Sequence, residues 1–173
     1  MKNVAAKKGT LGRSTKLGRV VEVSLSPVGG VPKQPQGSIK VGPYGVEGDY
    51  HAGPINKHKK TGDPEPNWRQ ITLVASEVLA DLSHQLQIEL RPGDLGENIL
   101  VSGMGDLSQL QKGDRLLLGS EVVLEVTAQN RPCDTIRVHH QDLVEAITGR
   151  RGVSATVAST GVVKPGDAIR RHK

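Results

Sequence analysis

Lys112–Thr127 reads KGDRLLLGSEVVLEVT, two apolar, β-branched-rich runs (Arg115–Leu118 and Glu121–Thr127) separated by Gly119-Ser120 and entered through a Gly-Asp turn. Runs of this length, closed off by glycine on both sides, predict short strands and not helices. The same grammar recurs along the chain. Gly18–Ser26 (GRVVEVSLS) ends at Pro27 and a Gly29-Gly30 pair, and Ser38–Val41, Tyr44–Val46, Arg69–Ala75, Glu97–Val101, Val153–Ser159 and Ala168–Arg170 give further strands. Only two helices are expected. One starts at Ser76 as N-cap, with Val78, Leu79, Leu82 and Leu86 as its apolar stripe, and one spans Asp134 to Thr148 around Leu143, Val144 and Ile147. Strands are not followed regularly by helices, so a doubly wound sheet is not expected. The fold class is mainly β with attached helices, a mainly antiparallel sheet or barrel.

The 173 residues suit one domain, and their formal charge of +5 comes from 23 basic and 18 acidic groups. Five of the basic residues (Lys2, Lys7, Lys8, Arg13 and Lys16) lie before Gly18, and the first acid, Glu22, lies beyond them. The excess therefore belongs to residues 1–17, expected to be a basic disordered tail, and the domain at 18–171 is neutral. No nucleic-acid surface is expected from that balance, and only Trp68, Tyr44 and Tyr50 are aromatic. No apolar run is long enough to span a membrane, no h-region precedes Gly18, and one cysteine, Cys133, allows no internal disulfide framework. A cytoplasmic protein is expected.

Cys133 sits in Asn130-Arg-Pro-Cys-Asp-Thr135, just past a strand, with Arg131 and Arg137 near in sequence. Adjacent guanidinium groups favour a thiolate, the form that ligates soft metals and attacks electrophiles. A lone cysteine also reads as a small buried hydrophobe, and one thiolate cannot hold a metal unaided. A Cys–His pair with His51, His58, His139 or His140 is a further option, although His139-His140 reads as solvent-exposed helix. Glu97-Asn98 follows a Gly-rich turn; the pair reads either as edge-solvated, or with Asn98 offering its amide to a polar heterocycle. Lys33 and Arg150-Arg151-Gly152 are cations beside glycines, yet no Walker or dinucleotide glycine pattern is present. His51–Asn67 is a long polar, Pro-rich loop, disordered or functional.

In order along residues 18–171, a set of motifs resembles the MOSC domain, named for the C-terminal domain of molybdenum-cofactor sulfurases. The set comprises Pro27-Val-Gly-Gly-Val-Pro-Lys33, Gly45-Val-Glu-Gly-Asp-Tyr-His51, Arg69-Gln-Ile-Thr-Leu73 and Pro92-Gly-Asp-Leu-Gly-Glu-Asn-Ile99. Leu110-Gln-Lys-Gly-Asp-Arg-Leu116, Arg131-Pro-Cys133, Arg151-Gly-Val-Ser-Ala155 and Gly161-Val-Val-Lys-Pro-Gly-Asp167 complete it. The resemblance implies a β-barrel-like fold of the MOSC and pyruvate kinase β-barrel kind and a molybdenum cofactor (Mo-pterin). It implies Cys133 as the molybdenum ligand and catalytic residue, with Asn98, Arg69, Lys33 and Arg151 holding the pterin and its phosphate. It further implies an oxidoreductase of the stand-alone bacterial type that reduces N-hydroxylated compounds, with a small-molecule substrate and an electron-donor protein as partners. The alternative within the resemblance is a sulfur (persulfide) carrier or cofactor-delivery protein that uses Cys133. The pyridoxal-phosphate domain that accompanies this domain in sulfurases is not expected at this length. The His51–Asn67 loop departs from the His-Gly-Gly-x-Asp-Lys run of one subfamily.

Overall fold

A computed structural model describes residues 16–172. The expected tail therefore lies outside the described residues, apart from Lys16 and Leu17. Eleven strands and two α-helices follow in order: β1 (Gly18–Leu25), β2 (Gln34–Gln36), β3 (Ile39–Gly42), β4 (Gly45–Val46), β5 (Ile71–Ala75), α1 (Ser76–Leu86) and β6 (Ile99–Ser102). Then come β7 (Arg115–Leu118), β8 (Val122–Gln129), a 3-10 turn at Asp134–Val138, α2 (Leu143–Ile147), β9 (Val153–Ser159), β10 (Gly161–Val163) and β11 (Ala168–His172).

The strands close on themselves. In one sheet the order β11-β7-β8-β9-β5-β6-β1 returns to its start through the β11–β1 pairing, and β2 extends it beyond β1. Closure leaves no exposed ladder along that ring. The quoted segment forms its tightest piece, the antiparallel β7–β8 pair, in which Leu118 faces Val122 across the Gly119-Ser120 turn. Alternation along β8 buries Val122, Leu124 and Val126 and leaves Val123, Glu125 and Thr127 half-buried. Strand β5 is buried nearly throughout, at Ile71, Leu73, Val74 and Ala75. It lies in the ring with α1 packed against it, so both of its faces are covered. The β5–β6 pair is parallel, joined through α1, while the other ladders are antiparallel. A small second sheet, β10-β3-β4, stands beside the barrel.

Three expectations change. Ser76 is the first helical residue and not the cap, which is Ala75 with no side-chain bond. Ser76 Oγ bonds Glu77, and Glu77 Oε1 takes the Gly103 N–H at 2.7 Å, tying α1 to the end of β6. The expected helix from Asp134 to Thr148 is broken into the 3-10 turn and α2. The gap lies at residues whose side chains compete with helix bonding: His139 Nε2 meets the Asp94 carbonyl at 2.8 Å, and His140 Nδ1 accepts the Asp142 N–H. His139 is accordingly half-buried and not solvent-exposed. The strands β2 (Gln-Pro-Gln) and β10 (Gly-Val-Val) are three residues each, too short to give an alternating pattern.

The His51–Asn67 loop is folded by its own polar groups. Asn67 Nδ2 donates to the His51 and Gly53 carbonyls (2.7 and 3.0 Å), Asn56 Nδ2 donates to Glu65 (2.7 Å), and Ile55 bridges Pro66. Among the described residues no helix is long and apolar enough to cross a membrane.

Candidate functional site

Several connecting segments converge on an open cleft of about 380 Å³ at one end of the barrel. The loop after β1 contributes Gly30 and Val31, and the folded polar loop contributes His51 and His58. Arg69, Thr72 and Val74 enter from the β5 region, and Leu95, Gly96 and Glu97 from the turn before β6. Asn130, Cys133 and Thr135 come from the segment leaving β8, and Arg151 from the approach to β9.

Cys133 is exposed, not a core filler. Its Sγ lies 2.6 Å from Thr135 Oγ1. Partial burial pushes the thiol up, but hydrogen bonds from Thr135 and Arg151 and the Arg151 charge bring it below the ordinary thiol value. The thiolate is thus favoured by Thr135 and Arg151, and not by the sequence neighbours Arg131 and Arg137. Arg137 is engaged elsewhere, with Asp134 at 3.0 Å and Glu145 at 2.6 Å. Replacing Thr135 with Val keeps the shape and removes one bond to the charged form, worth about 1.5 kcal/mol or more. Native protein is expected to react with iodoacetamide below the ordinary thiol range of about 8.5. Thr135→Val moves that profile up by about one pH unit, and identical profiles would contradict the assignment.

Arg151 is placed by Gly152. At φ +75°, a Cβ at Gly152 would fall 1.9 Å from the Leu73 carbonyl oxygen, so only glycine lets the chain pass β5 this closely. The Gly152 carbonyl also accepts the Asn130 N–H at 2.9 Å. Arg151, only 9% exposed, then donates to the Arg131 carbonyl (2.9 Å) and the Leu95 carbonyl (3.0 Å), joining the Cys133 segment to the turn before β6. Arg69 sits nearby, with one long bond to Asn130 Oδ1 at 3.4 Å. Burial, and then the Arg151 charge, depress its pKa, against the pull of Cys133. Two guanidinium groups and one thiol therefore share the cleft.

His51 and His58 stack with ring centroids 4.8 Å apart. Burial, and then the charges of His51, Arg69 and Lys60, lower the His58 pKa, so its neutral form is favoured. Neither histidine is a hydrogen-bond partner of Cys133, whose partners are Thr135 and Arg151.

Two residues expected to hold the cofactor do not reach the cleft. Lys33 is 2% exposed, and its ammonium is 2.8 Å from Asp49 Oδ1, in a buried ion pair with no charge to spare for a phosphate. Asn98 is 1% exposed, and its amide is consumed by the barrel: Oδ1 accepts the Thr72 N–H (3.2 Å) and Nδ2 donates to the Ser24 carbonyl (3.2 Å). It pins β1, β5 and β6 together at the site. Its neighbour Glu97, expected to be edge-solvated, is instead wholly buried and lines the cleft. A side chain after a Gly-rich turn carries no sequence signal for which of two adjacent polar residues turns inward.

Residues 47–170 match the family model described as the MOSC domain. The chain belongs to the MOSC domain family. YuaD of Bacillus subtilis strain 168, a relative whose name refers to metal-sulfur cluster biosynthesis, is 32% identical over 149 residues, or 74% of this chain and 76% of that protein. The crystal structure of the Bacillus subtilis YuaD protein superposes with a TM-score of 0.81 at 24% identity, covering 92% of this chain and 99% of that one. YiiM from Geobacillus stearothermophilus shares the fold with a TM-score of 0.66 at 21% identity, over 90% of this chain and 75% of its own. The mainly β barrel with two helices is thus the MOSC fold. Within this MOSC domain the cleft gathers Cys133, Arg69 and Arg151 and excludes Lys33 and Asn98.

Proposed function

We propose that this MOSC domain binds a molybdenum-pterin cofactor in the cleft, with the Cys133 thiolate as its protein ligand, and that it reduces N-hydroxylated small molecules. One observation carries the reading: a reachable thiol of lowered pKa shares a cleft with two guanidinium groups. The donor set suits the group. A soft thiolate matches a sulfur-rich metal, Arg69 and Arg151 match a phosphate, and about 380 Å³ falls within the ~300–1,000 Å³ typical of small-molecule sites. When bound, the cofactor supplies a metal able to pass two electrons.

The chain's own contribution is positional. Thr135 and Arg151 favour the Cys133 thiolate, Gly152 fixes Arg151, and Val31, Val74 and Leu95 give the cleft apolar wall. Reducing an N–OH group to N–H consumes two electrons and two protons and releases water, so an electron-donor protein is required as a partner. A carrier reading, in which Cys133 holds a persulfide for delivery, is favoured by the exposure of the thiol and by the name of the YuaD relative.

Reduction of benzamidoxime with an artificial electron donor, by protein made in a cofactor-producing host, separates the two. Turnover is expected for native protein. Cyanide-labile sulfur on Cys133 with no turnover would establish the carrier instead. Replacing Arg69 with Ala is expected to weaken cofactor retention about tenfold through one lost charged hydrogen bond, with pterin content after gel filtration as the readout; unchanged retention would remove Arg69 from the site.

A further inference from the structure

The least satisfied side chain among the described residues lies in the same cleft. Glu97 is 1% exposed; its Oε1 accepts the Gly93 N–H at 2.6 Å, and its Oε2 is buried with no partner. The carboxyl is held there by a rigid turn. Gly93 has φ +93°, a Cβ on it would lie 2.0 Å from the Lys33 carbonyl oxygen, and its own carbonyl accepts the Lys33 N–H at 2.9 Å.

The chain offers Oε2 nothing. The Lys33 ammonium feels the Glu97 charge, but it is spent on Asp49. Arg151 donates to the Leu95 and Arg131 carbonyls. Burial, reinforced by the Asp94 charge, pushes Glu97 up to about 7 against the backbone N–H groups of Gly93, Glu97 and Leu95. In the anion Oε2 lacks a donor, and in the acid a proton on Oε2 lacks an acceptor. Either way the orphaned group costs about 1–3 kcal/mol. A cost of that size at a cleft wall calls for a functional partner. The terminal carboxyl torsion of glutamate is soft, so a small rotation presents Oε2 to a bound molecule.

We infer that Glu97 Oε2 accepts N–H donors from an amidine-type N–C–N edge on the molecule the cleft binds. The cleft is then bipolar: Arg69 and Arg151 take an anionic end and Glu97 takes the donor end. A carboxylate lining the same cleft as the two guanidinium groups would repel an anion brought to its own side, and it matches paired N–H donors through its free lone pairs. Two sources carry that edge, the aminopyrimidinone ring of a pterin and the amidine of a reduced substrate. The choice between them rests on the cofactor reading above; the contact itself does not.

The test uses the full chain free of cofactor, titrated with neopterin by fluorescence quenching and with benzamidine by calorimetry, for native protein and Glu97→Gln. At least one ligand is expected to bind the native protein and to weaken about tenfold or more in the variant, the loss of one hydrogen bond to a charged group. Loss for neopterin assigns the pterin edge, and loss for benzamidine alone assigns the substrate. Equal affinities in both proteins, or no binding of either ligand to native protein, would overturn the inference. Should Glu97→Gln fold poorly, infrared spectra of native protein decide: the protonated carboxyl band disappears on ligand saturation if Glu97 is the acceptor, and a band that stays overturns it. Molybdenum is absent from every arm, so failure here and failure of the cofactor reading are distinguishable.

Discussion

Replacing Lys33 with Ala is expected to destabilise the fold by about 3–5 kcal/mol, the cost of leaving a buried charge without its partner. Both side chains are essentially inaccessible, at 2% for Lys33 and 0% for Asp49. Asp49 would keep only the N–H groups of Ser26 and His51, each at 3.0 Å, and the His51 ring. For a chain of this size the loss corresponds to a fall in Tm of roughly 6–20 °C.

Its pH dependence follows from the sign of the Asp49 shift. Burial pushes that carboxyl up, yet His51, Lys33 and Ser26 outweigh it and hold the group below the usual carboxylate range. A depressed folded pKa contributes stability above the unfolded value of about 3.9, and that stability is lost as pH falls below it. In Lys33→Ala the burial penalty prevails, and protonating Asp49 relieves it. The gap between native and variant is therefore expected to narrow on acidification. Lys33→Met with Asp49→Leu should recover only part of the loss, because the Ser26 and His51 N–H groups then lack their acceptor. Chemical denaturation across pH checks this, and a gap under about 1 kcal/mol at neutral pH would show that the pair is not buried in solution.

Replacing Cys133 with Ala is expected to do the opposite, abolishing amidoxime reduction while leaving stability within about 0.5 kcal/mol of native. The thiol is exposed and touches Thr135; the backbone carbonyl of residue 133, which accepts the Ile136 N–H at 3.3 Å at the start of the 3-10 turn, survives the change. Cys133→Ser should be as inactive, because a hydroxyl neither ionises near neutrality nor offers a soft donor. Arg151→Ala differs, since it also removes the bonds to the Leu95 and Arg131 carbonyls. Activity lost without loss of melting temperature separates a ligand from a brace.

The strands were legible because apolar alternation and glycine turns are local signals: β7, β8 and β9 appear where Arg115–Leu118, Glu121–Thr127 and Val153–Ser159 predict them. Local signals left sheet and barrel open, and the family resemblance pointed to the barrel, because the β11–β1 pairing that closes it joins segments far apart in sequence and leaves no mark in either. In the site, Cys133, Arg69 and Arg151 line one cleft. Lys33 and Asn98 do not, because their partners, Asp49 and the Thr72 and Ser24 backbone, are non-local groups that a motif cannot display. The exchange of Asn98 for Glu97 is a matter of one residue on a turn, decided by which side chain the Gly93 N–H captures.

Central to this account is Cys133 as the protein ligand of a molybdenum cofactor. Elemental and pterin analysis of native protein and Cys133→Ala, purified side by side from a cofactor-producing host, tests it most directly. Near-stoichiometric molybdenum with pterin in the native protein, lost in the variant at unchanged melting temperature, is the predicted result. Molybdenum absent from the native protein, or retained equally by both, would contradict it.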